Sequence, residues 1–394
     1  MTSRTTARRL GLALLLATAE AACGSTSAAE RVSSAEPSLS PAPSVDGGSP
    51  ATNPASGSTT PRAGASSSAQ PPAGSAPSRI ESRTFDSASL GVKKTYRVLL
   101  PKGYDDSQRR FPVVYYLYGL GGNEGNWLEH GDLKAVADGA DFHAIVVMPD
   151  GDASFYVDRT GPAYEACAKE KPPFNPGEHA ATYCVKTPRC EGYITGDLVR
   201  DVDTRFRTLA KRGARGIGGL SMGGFGAMQL AMRHTDLYSV VATHSALLSL
   251  TYADPHPYDV AKVTLAKSPA EWGKGYPANV NAPLSGIFGP SFDNWTSHDP
   301  ATLGGKLEPA KLSIYFDCGT EDDLKLADHA KHLHDVLDKR GVAHTFELAP
   351  GRHDWAFWKA RLPKSVAFSR PSSTRSRWPP LHWPAAGSEI VSSA

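Results

Sequence analysis

The stretch Arg215-Gly216-Ile217-Gly218-Gly219-Leu220-Ser221-Met222-Gly223-Gly224 constrains this chain more than any other. The residues up to Leu220 read as a buried strand and those after Met222 as a helix, so Ser221 occupies the apex of the turn between them. Gly219 and Gly223 flank the serine two positions away on either side, giving the pattern G-x-S-x-G. A Cβ at either glycine would clash in so tight a turn. Such a turn pushes the serine hydroxyl out at the carboxyl edge of a sheet. It also leaves the Met222 amide at a helix N-terminus, where it can face a developing negative charge. Glycine-rich turns also serve as ordinary strand-to-helix connections, so the serine needs companions.

The surrounding sequence supplies a scaffold of the right kind. Apolar, β-branched runs predict strands at 95–100, 112–118, 144–148, 215–220, 239–243, 311–318 and 343–348. Helices are predicted at 197–209, 222–233 and 324–339, the last with Leu326, Ala330, Leu333 and Leu337 at i, i+4, i+7 and i+11. Strands alternating with helices imply an α/β domain with a mostly parallel central sheet and helices on both faces. In such sheets ligands bind beyond the carboxyl ends of the strands.

The termini are of a different character. Residues 1–23 read as an export signal: Arg4, Arg8 and Arg9 precede an apolar run, followed by Ala19-Glu20-Ala21 and Cys23. Two outcomes stay open, release after cleavage near Ala21 or Ala22, and lipid attachment at Cys23, which would be the only route to a membrane. Glu20 departs from the leucine-like residue that a lipoprotein box prefers there. Residues 24–78, almost all Ser, Ala, Pro, Gly and Thr, predict a disordered linker, and 362–394 a disordered tail. The folded domain is therefore expected over 79–361. Of the net charge of +2, residues 1–23 contribute +2 and 361–394 contribute +4, leaving −4 between them. A mildly acidic globular part gives no reason to expect a nucleic-acid partner.

Within the domain, 151–195 interrupts the strand–helix rhythm and reads as an inserted loop walling the site. It holds Cys167, Cys184 and Cys190, while Cys318 falls on a predicted strand. In an exported protein a disulfide within that cluster is the default reading, with the pairing open; a zinc site using the cluster and His179 has no common spacing behind it. The 253–299 stretch, with Trp272, Tyr276, Phe288, Phe292 and Trp295, is a second candidate wall whose aromatics read as local packing.

Catalysis by serine needs a base within hydrogen-bond reach and a carboxylate to orient that base. Asp317-Cys318-Gly319-Thr320-Glu321-Asp322-Asp323 ends one predicted strand, and Gly351-Arg352-His353-Asp354-Trp355 comes after the last. Their order after Ser221 is that of α/β-hydrolases, nucleophile, then acid, then histidine.

These motifs, with Tyr116-Leu117-Tyr118-Gly119-Leu120-Gly121-Gly122 and Val147-Met148-Pro149-Asp150-Gly151, resemble the secreted esterases related to esterase D, feruloyl esterases, tributyrin esterases and mycolyltransferases, over most of residues 90–360. The resemblance implies the α/β-hydrolase fold, with Ser221 as nucleophile, Asp322 as acid, His353 as base and the backbone amides of Leu120 and Met222 as oxyanion hole. It places Gly119, Tyr118, Asp150 and Tyr156 among the substrate-binding residues. Many relatives carry His where this chain has Tyr118, a change of pocket shape more than of chemistry. The implied activity is hydrolysis of a small-molecule or polysaccharide-linked ester (short-chain, acetyl-sugar or feruloyl) with no metal and no organic cofactor. Acyl transfer to a sugar and a non-catalytic cell-envelope binding protein are the alternatives.

Other residues compete for these roles. Asp323 and Asp317 rival Asp322 as the acid, Asp317 also as a cap on the turn after it. His244 reads as a satisfied buried histidine, and His329, His332 and His334 as a solvated helix surface. Trp355 and Trp358 are expected to pack against the sheet and steady the His353 loop.

Overall fold

The computed structural model describes residues 76–158, 189–275 and 284–370, together with the backbone of Ile390–Ser392. The export signal, the linker up to residue 75, Cys167, His179, Cys184 and Tyr276 lie outside the described residues.

A nine-stranded sheet forms the centre, in the order β1-β2-β4-β3-β5-β6-β9-β10-β11. Its parallel heart is β4 (Ile145–Pro149), β3 (Val113–Leu117), β5 (Arg215–Leu220), β6 (Val240–His244), β9 (Ser313–Gly319) and β10 (His344–Ala349). Antiparallel strands close both edges: β1 (Arg79–Ser87) and β2 (Val92–Leu100) on one side, β11 (Ile390–Ser392) on the other. A small hairpin of β7 (Tyr252–Asp254) and β8 (Thr264–Leu265) stands apart from the sheet.

Successive residues of a strand face opposite sides, and β3 accordingly feeds two cores. Val113, Tyr115 and Leu117 enter one apolar cluster, and Val114 and Tyr116 enter the other. On the first face pack α3 (Val199–Arg205), α4 (Ser221–Arg233) and α5 (Leu326–Arg340), with the expected stripe of Leu326, Ala330, Leu333 and Leu337 buried. On the second face lie α1 (Asn126–Glu129), α2 (Leu133–Gly139) and α6 (Trp355–Phe368), which contribute Trp127, Leu133, Leu362 and Val366. Helices on both faces of a largely parallel sheet are what the sequence predicts.

Three expectations need correction. The domain does not end at 361: α6 carries on through Pro363 to Phe368, and β11 adds a strand beside β10. Leu362 and Val366 continue the apolar face begun by Trp358, and their burial outweighs the one backbone donor that Pro363 lacks. The expected loop 151–195 is helical at its end. A turn at Cys190–Gly192 and a π-helical stretch at Tyr193–Leu198 lead into α3. Finally, Cys190 and Cys318 are buried free thiols, so neither joins a disulfide, while a pairing of Cys167 with Cys184 lies outside the described residues; burial pushes the Cys190 thiol up to about 12, far from a reactive thiolate.

Candidate active site

The turn between β5 and α4 places Ser221 at the carboxyl end of the central strand. Its φ is 52°, a left-handed conformation that costs a serine about 1–3 kcal/mol and persists only where the surroundings impose it. A Cβ on Gly219 would lie 2.4 Å from the Gly223 carbonyl oxygen, and one on Gly223 would lie 2.4 Å from that of Leu117. Strand, turn and helix therefore meet at backbone-to-backbone distance, and the side chain at their apex has only one way to point.

Two further loops bring partners to it. After β9, a turn sets Asp322, with its Oδ1 accepting from the Leu324 amide at 2.9 Å. After β10, Gly351 adopts φ 147° and hands the chain to His353. Backbone bonds from Thr320 N to Ala349 O and from Glu321 N to Gly351 O, both 2.9 Å, tie the two loops together.

The result is an unbroken chain. His353 Nδ1 lies 2.8 Å from Asp322 Oδ2, and His353 Nε2 lies 2.9 Å from Ser221 Oγ. A carboxylate only accepts, so Nδ1 carries the proton and Nε2 presents its lone pair to the serine hydroxyl. The Asp322 side chain is fully buried, whereas His353 and Ser221 keep partial access to solvent. Trp358 meets the imidazole edge-to-face at 5.1 Å and packs on Trp355, as the sequence leads one to expect. Asp323, one residue on, turns outward to an exposed ion pair with Arg352 at 2.5 Å.

The segment after β3 passes directly over the serine: a Cβ on Gly119 would lie 3.3 Å from that of Ser221. Leu120 comes next, and Met222 succeeds the serine at the start of α4, so both amides belong to segments bordering the hydroxyl. Of the residues expected to touch substrate, Gly119 lies on this loop, while Tyr118, Asp150 and Tyr156 are engaged with one another behind it. Tyr118 and Tyr156 are buried; the Tyr156 hydroxyl donates to the Tyr118 carbonyl at 3.1 Å. The Tyr118 hydroxyl donates to Asp150 Oδ1 at 3.1 Å and accepts from the Gly151 amide at 3.0 Å. Asp150 Oδ2 meets Lys94 Nζ at 2.7 Å, with Asp152 on the same ammonium at 2.8 Å. Tyr118, Asp150 and Tyr156 thus brace the loop that holds Gly119. Lys94 escapes the sequence reading, although it shares the inward register of Tyr96 and Val98 on β2. Burial opposes its charge, but Asp152 and Asp150 overcome that and raise its pKa.

A second serine–histidine–aspartate chain runs nearby. His244 Nδ1 lies 2.8 Å from Asp317 Oδ1 and His244 Nε2 lies 2.8 Å from Ser365 Oγ. All three residues are 0 % exposed, so no substrate can reach them. Ser365 Oγ is also 3.0 Å from the Leu362 carbonyl, a second acceptor that competes with the imidazole for its one proton. His244 is the satisfied buried histidine that the sequence suggests. Asp317 neither caps its turn nor serves His353; it also accepts from Tyr315 and Arg361, at 2.7 and 2.9 Å. Burial works against its ionisation, but His244 and Arg361 outweigh it and hold the carboxyl below its usual range.

The helix histidines depart from expectation. His329 is buried, donates from Nδ1 to the Ser249 carbonyl (2.8 Å) and is pushed down to about 3 by burial; His332 is buried and stacks on Tyr252. The segment around β7 covers this part of α5, a tertiary contact invisible in the helix's own sequence. Trp272, Phe288 and Trp295 are buried among one another, local packing as expected.

A β5–α4 elbow, an imidazole and a carboxylate on successive loops of a parallel sheet define an α/β-hydrolase-fold enzyme of the serine type. Residues 87–369 match the family described as "Putative esterase", and the chain belongs to that family of carboxylic ester hydrolases. It is 25% identical to an acetyl esterase of Caldicellulosiruptor saccharolyticus over 285 residues, 70% of this chain and 91% of that one. It is 28% identical over 168 residues to an esterase of Mycobacterium tuberculosis, 42% of this chain but 32% of the relative. Among solved structures it resembles a ferulic acid esterase, with TM-score 0.53, 23% identity, and 75% of this chain and 98% of that one covered. A likeness at that identity speaks for the fold.

Proposed function

We propose that the protein hydrolyses short-acyl carboxylic esters through an acyl-enzyme on Ser221. The observation that carries this is the hydrogen-bonded run Asp322–His353–Ser221, which ends on a partly exposed hydroxyl. His353 takes the Ser221 proton as the hydroxyl attacks the ester carbonyl, Asp322 holds the imidazole in the required tautomer, and the Leu120 and Met222 amides receive the oxyanion. His353 then protonates the leaving alcohol, and water repeats the sequence to release the acid. The acetyl esterase, matched over nearly its whole length, supports a small acyl group. The first 23 residues support an exported enzyme acting outside the cytoplasm, either released or held by lipid at Cys23.

The test is Ser221→Ala on p-nitrophenyl acetate, where kcat should fall about 10⁴–10⁶-fold. Activity within a few-fold of the parent would remove the serine from its role. A parallel comparison with methyl ferulate reads the acyl preference: faster turnover of ferulate than of acetate overturns the short-acyl part alone.

A further inference from the structure

The C-terminal half of α5 and the first residue of β10 bring three metal-competent side chains together, well away from the serine. His334 and Asp338 are one helical turn apart, and His344 returns to them after the Gly341 turn. One ligand atom from each lies within 4.8 Å of the others. His334 Nδ1 is 2.7 Å from His344 Nε2, and His334 Nε2 is 3.6 Å from Asp338 Oδ2.

The protonation of His344 is fixed by its surroundings. Its Nδ1 lies 2.8 Å from the Val342 carbonyl, which only accepts, so Nδ1 holds the proton and Nε2 turns a lone pair towards His334. An outer ring N–H on a backbone carbonyl and a bare inner nitrogen is the tautomer that metal-bound histidines adopt. The ring is also held in orientation, stacked on Phe316 at 5.6 Å and 11°. Burial grades outward from His344 through His334 to the half-exposed Asp338, which leaves an approach from solvent on one side.

We propose that His334, His344 and Asp338 bind one divalent transition-metal ion, of which zinc fits best, with water completing a tetrahedron. Two imidazoles and one carboxylate with an open fourth position suit zinc over the harder, oxygen-seeking cations. Zinc–nitrogen bonds of ~2.0–2.1 Å separate two tetrahedral ligands by about 3.3 Å. The ring nitrogens must therefore move apart by roughly 0.6 Å from their present hydrogen bond, a small rotation for the less buried His334. The Nδ1 proton that His334 now donates to His344 passes by way of water to Nε2, on the side of Asp338, so the ring keeps one N–H while Nδ1 takes the ion.

The place in the fold argues for a clip and not a reactant. His344 opens β10, and five steps at about 3.3 Å put it roughly 16 Å from the carboxyl end that leads to His353. The ion would join the helix beyond the Asp322 loop to the strand that precedes the His353 loop.

The experiment uses the full chain stripped of metal, titrated with Zn²⁺ by calorimetry and with Co²⁺ by visible absorption. The expected result is one ion per chain, a tetrahedral Co²⁺ d–d band, and a Tm raised by several degrees at saturation. Asp338→Asn, at a half-exposed position where folding is spared, should weaken binding about 10–100-fold, and His344→Gln should abolish the band. Ester hydrolysis should stay within about twofold with and without the ion. No saturable binding below about 1 mM, or binding that survives both substitutions, overturns the site and leaves a hydrogen-bonded histidine pair.

Discussion

Gly119 and Ser221 stand so close that a methyl group on the glycine would lie 3.3 Å from the serine Cβ. It would also come within 2.6 Å of Leu220 Cδ1, the far end of a flexible side chain that can yield. The serine cannot yield, being held by the elbow. Gly119→Ala should therefore displace the loop carrying the Leu120 amide by a fraction of an ångström. The expected outcome is a fall in kcat/KM of about 10–100-fold with Tm almost unchanged, measured by steady-state kinetics beside calorimetry. Full activity would show that the loop does not act on the oxyanion.

The two aspartates of the β9 segment should separate activity from stability. Asp322→Asn keeps the shape but offers His353 the wrong partner, so kcat should drop about 10³–10⁴-fold while the fold survives. Asp317→Asn leaves Arg361 with less compensation inside the protein and should cost roughly 3 kcal/mol of stability, with kcat per folded molecule retained. If the two substitutions exchanged these effects, the acid would have to be reassigned.

The two serines that accompany histidines should differ as sharply. A fluorophosphonate probe is expected to label Ser221 and leave Ser365 unmodified, since Ser365 is sealed in the core. Peptide mapping of the labelled protein decides it, and Ser365→Ala should label as fast as the parent.

Acid sensitivity is expected from Asp317. A carboxyl whose folded pKa is depressed binds its proton more readily in the unfolded chain, so it adds stability above the unfolded value of about 3.9. That contribution is lost as pH falls through the lower folded value. Glu191 acts in the same direction: burial resists its charge, but His234 and Arg233 prevail and lower its pKa. Tm should thus decline steeply below about pH 4 and more shallowly in Asp317→Asn. Equal slopes would remove Asp317 as a source of the effect.

Much of this fold is legible because buried parallel strands are apolar throughout. The strand 215–220 falls where the sequence predicts it, and the other five central strands agree within two residues at either end. Arg79–Ser87 escapes notice because, as an edge strand, it alternates half-buried Arg79, Glu81 and Arg83 with exposed Ile80, Ser82 and Thr84, with no apolar run. Residues 362–394 read as a tail because Ser, Arg and Pro dominate them, although the face shared by Trp358, Leu362 and Val366 continues through Pro363. Asp322 and Asp323 are adjacent, so only the direction of each side chain distinguishes them. The covering of His329 and His332 by a distant segment leaves no local trace at all.

The backbone bonds joining residues 320–321 to 349–351 make the carboxylate and imidazole passengers on a common raft. Flexing at that margin of the sheet carries both groups along while their mutual spacing stays constant. Adaptation to different esters is therefore confined to a single adjustable gap, the one across which the serine's proton must travel.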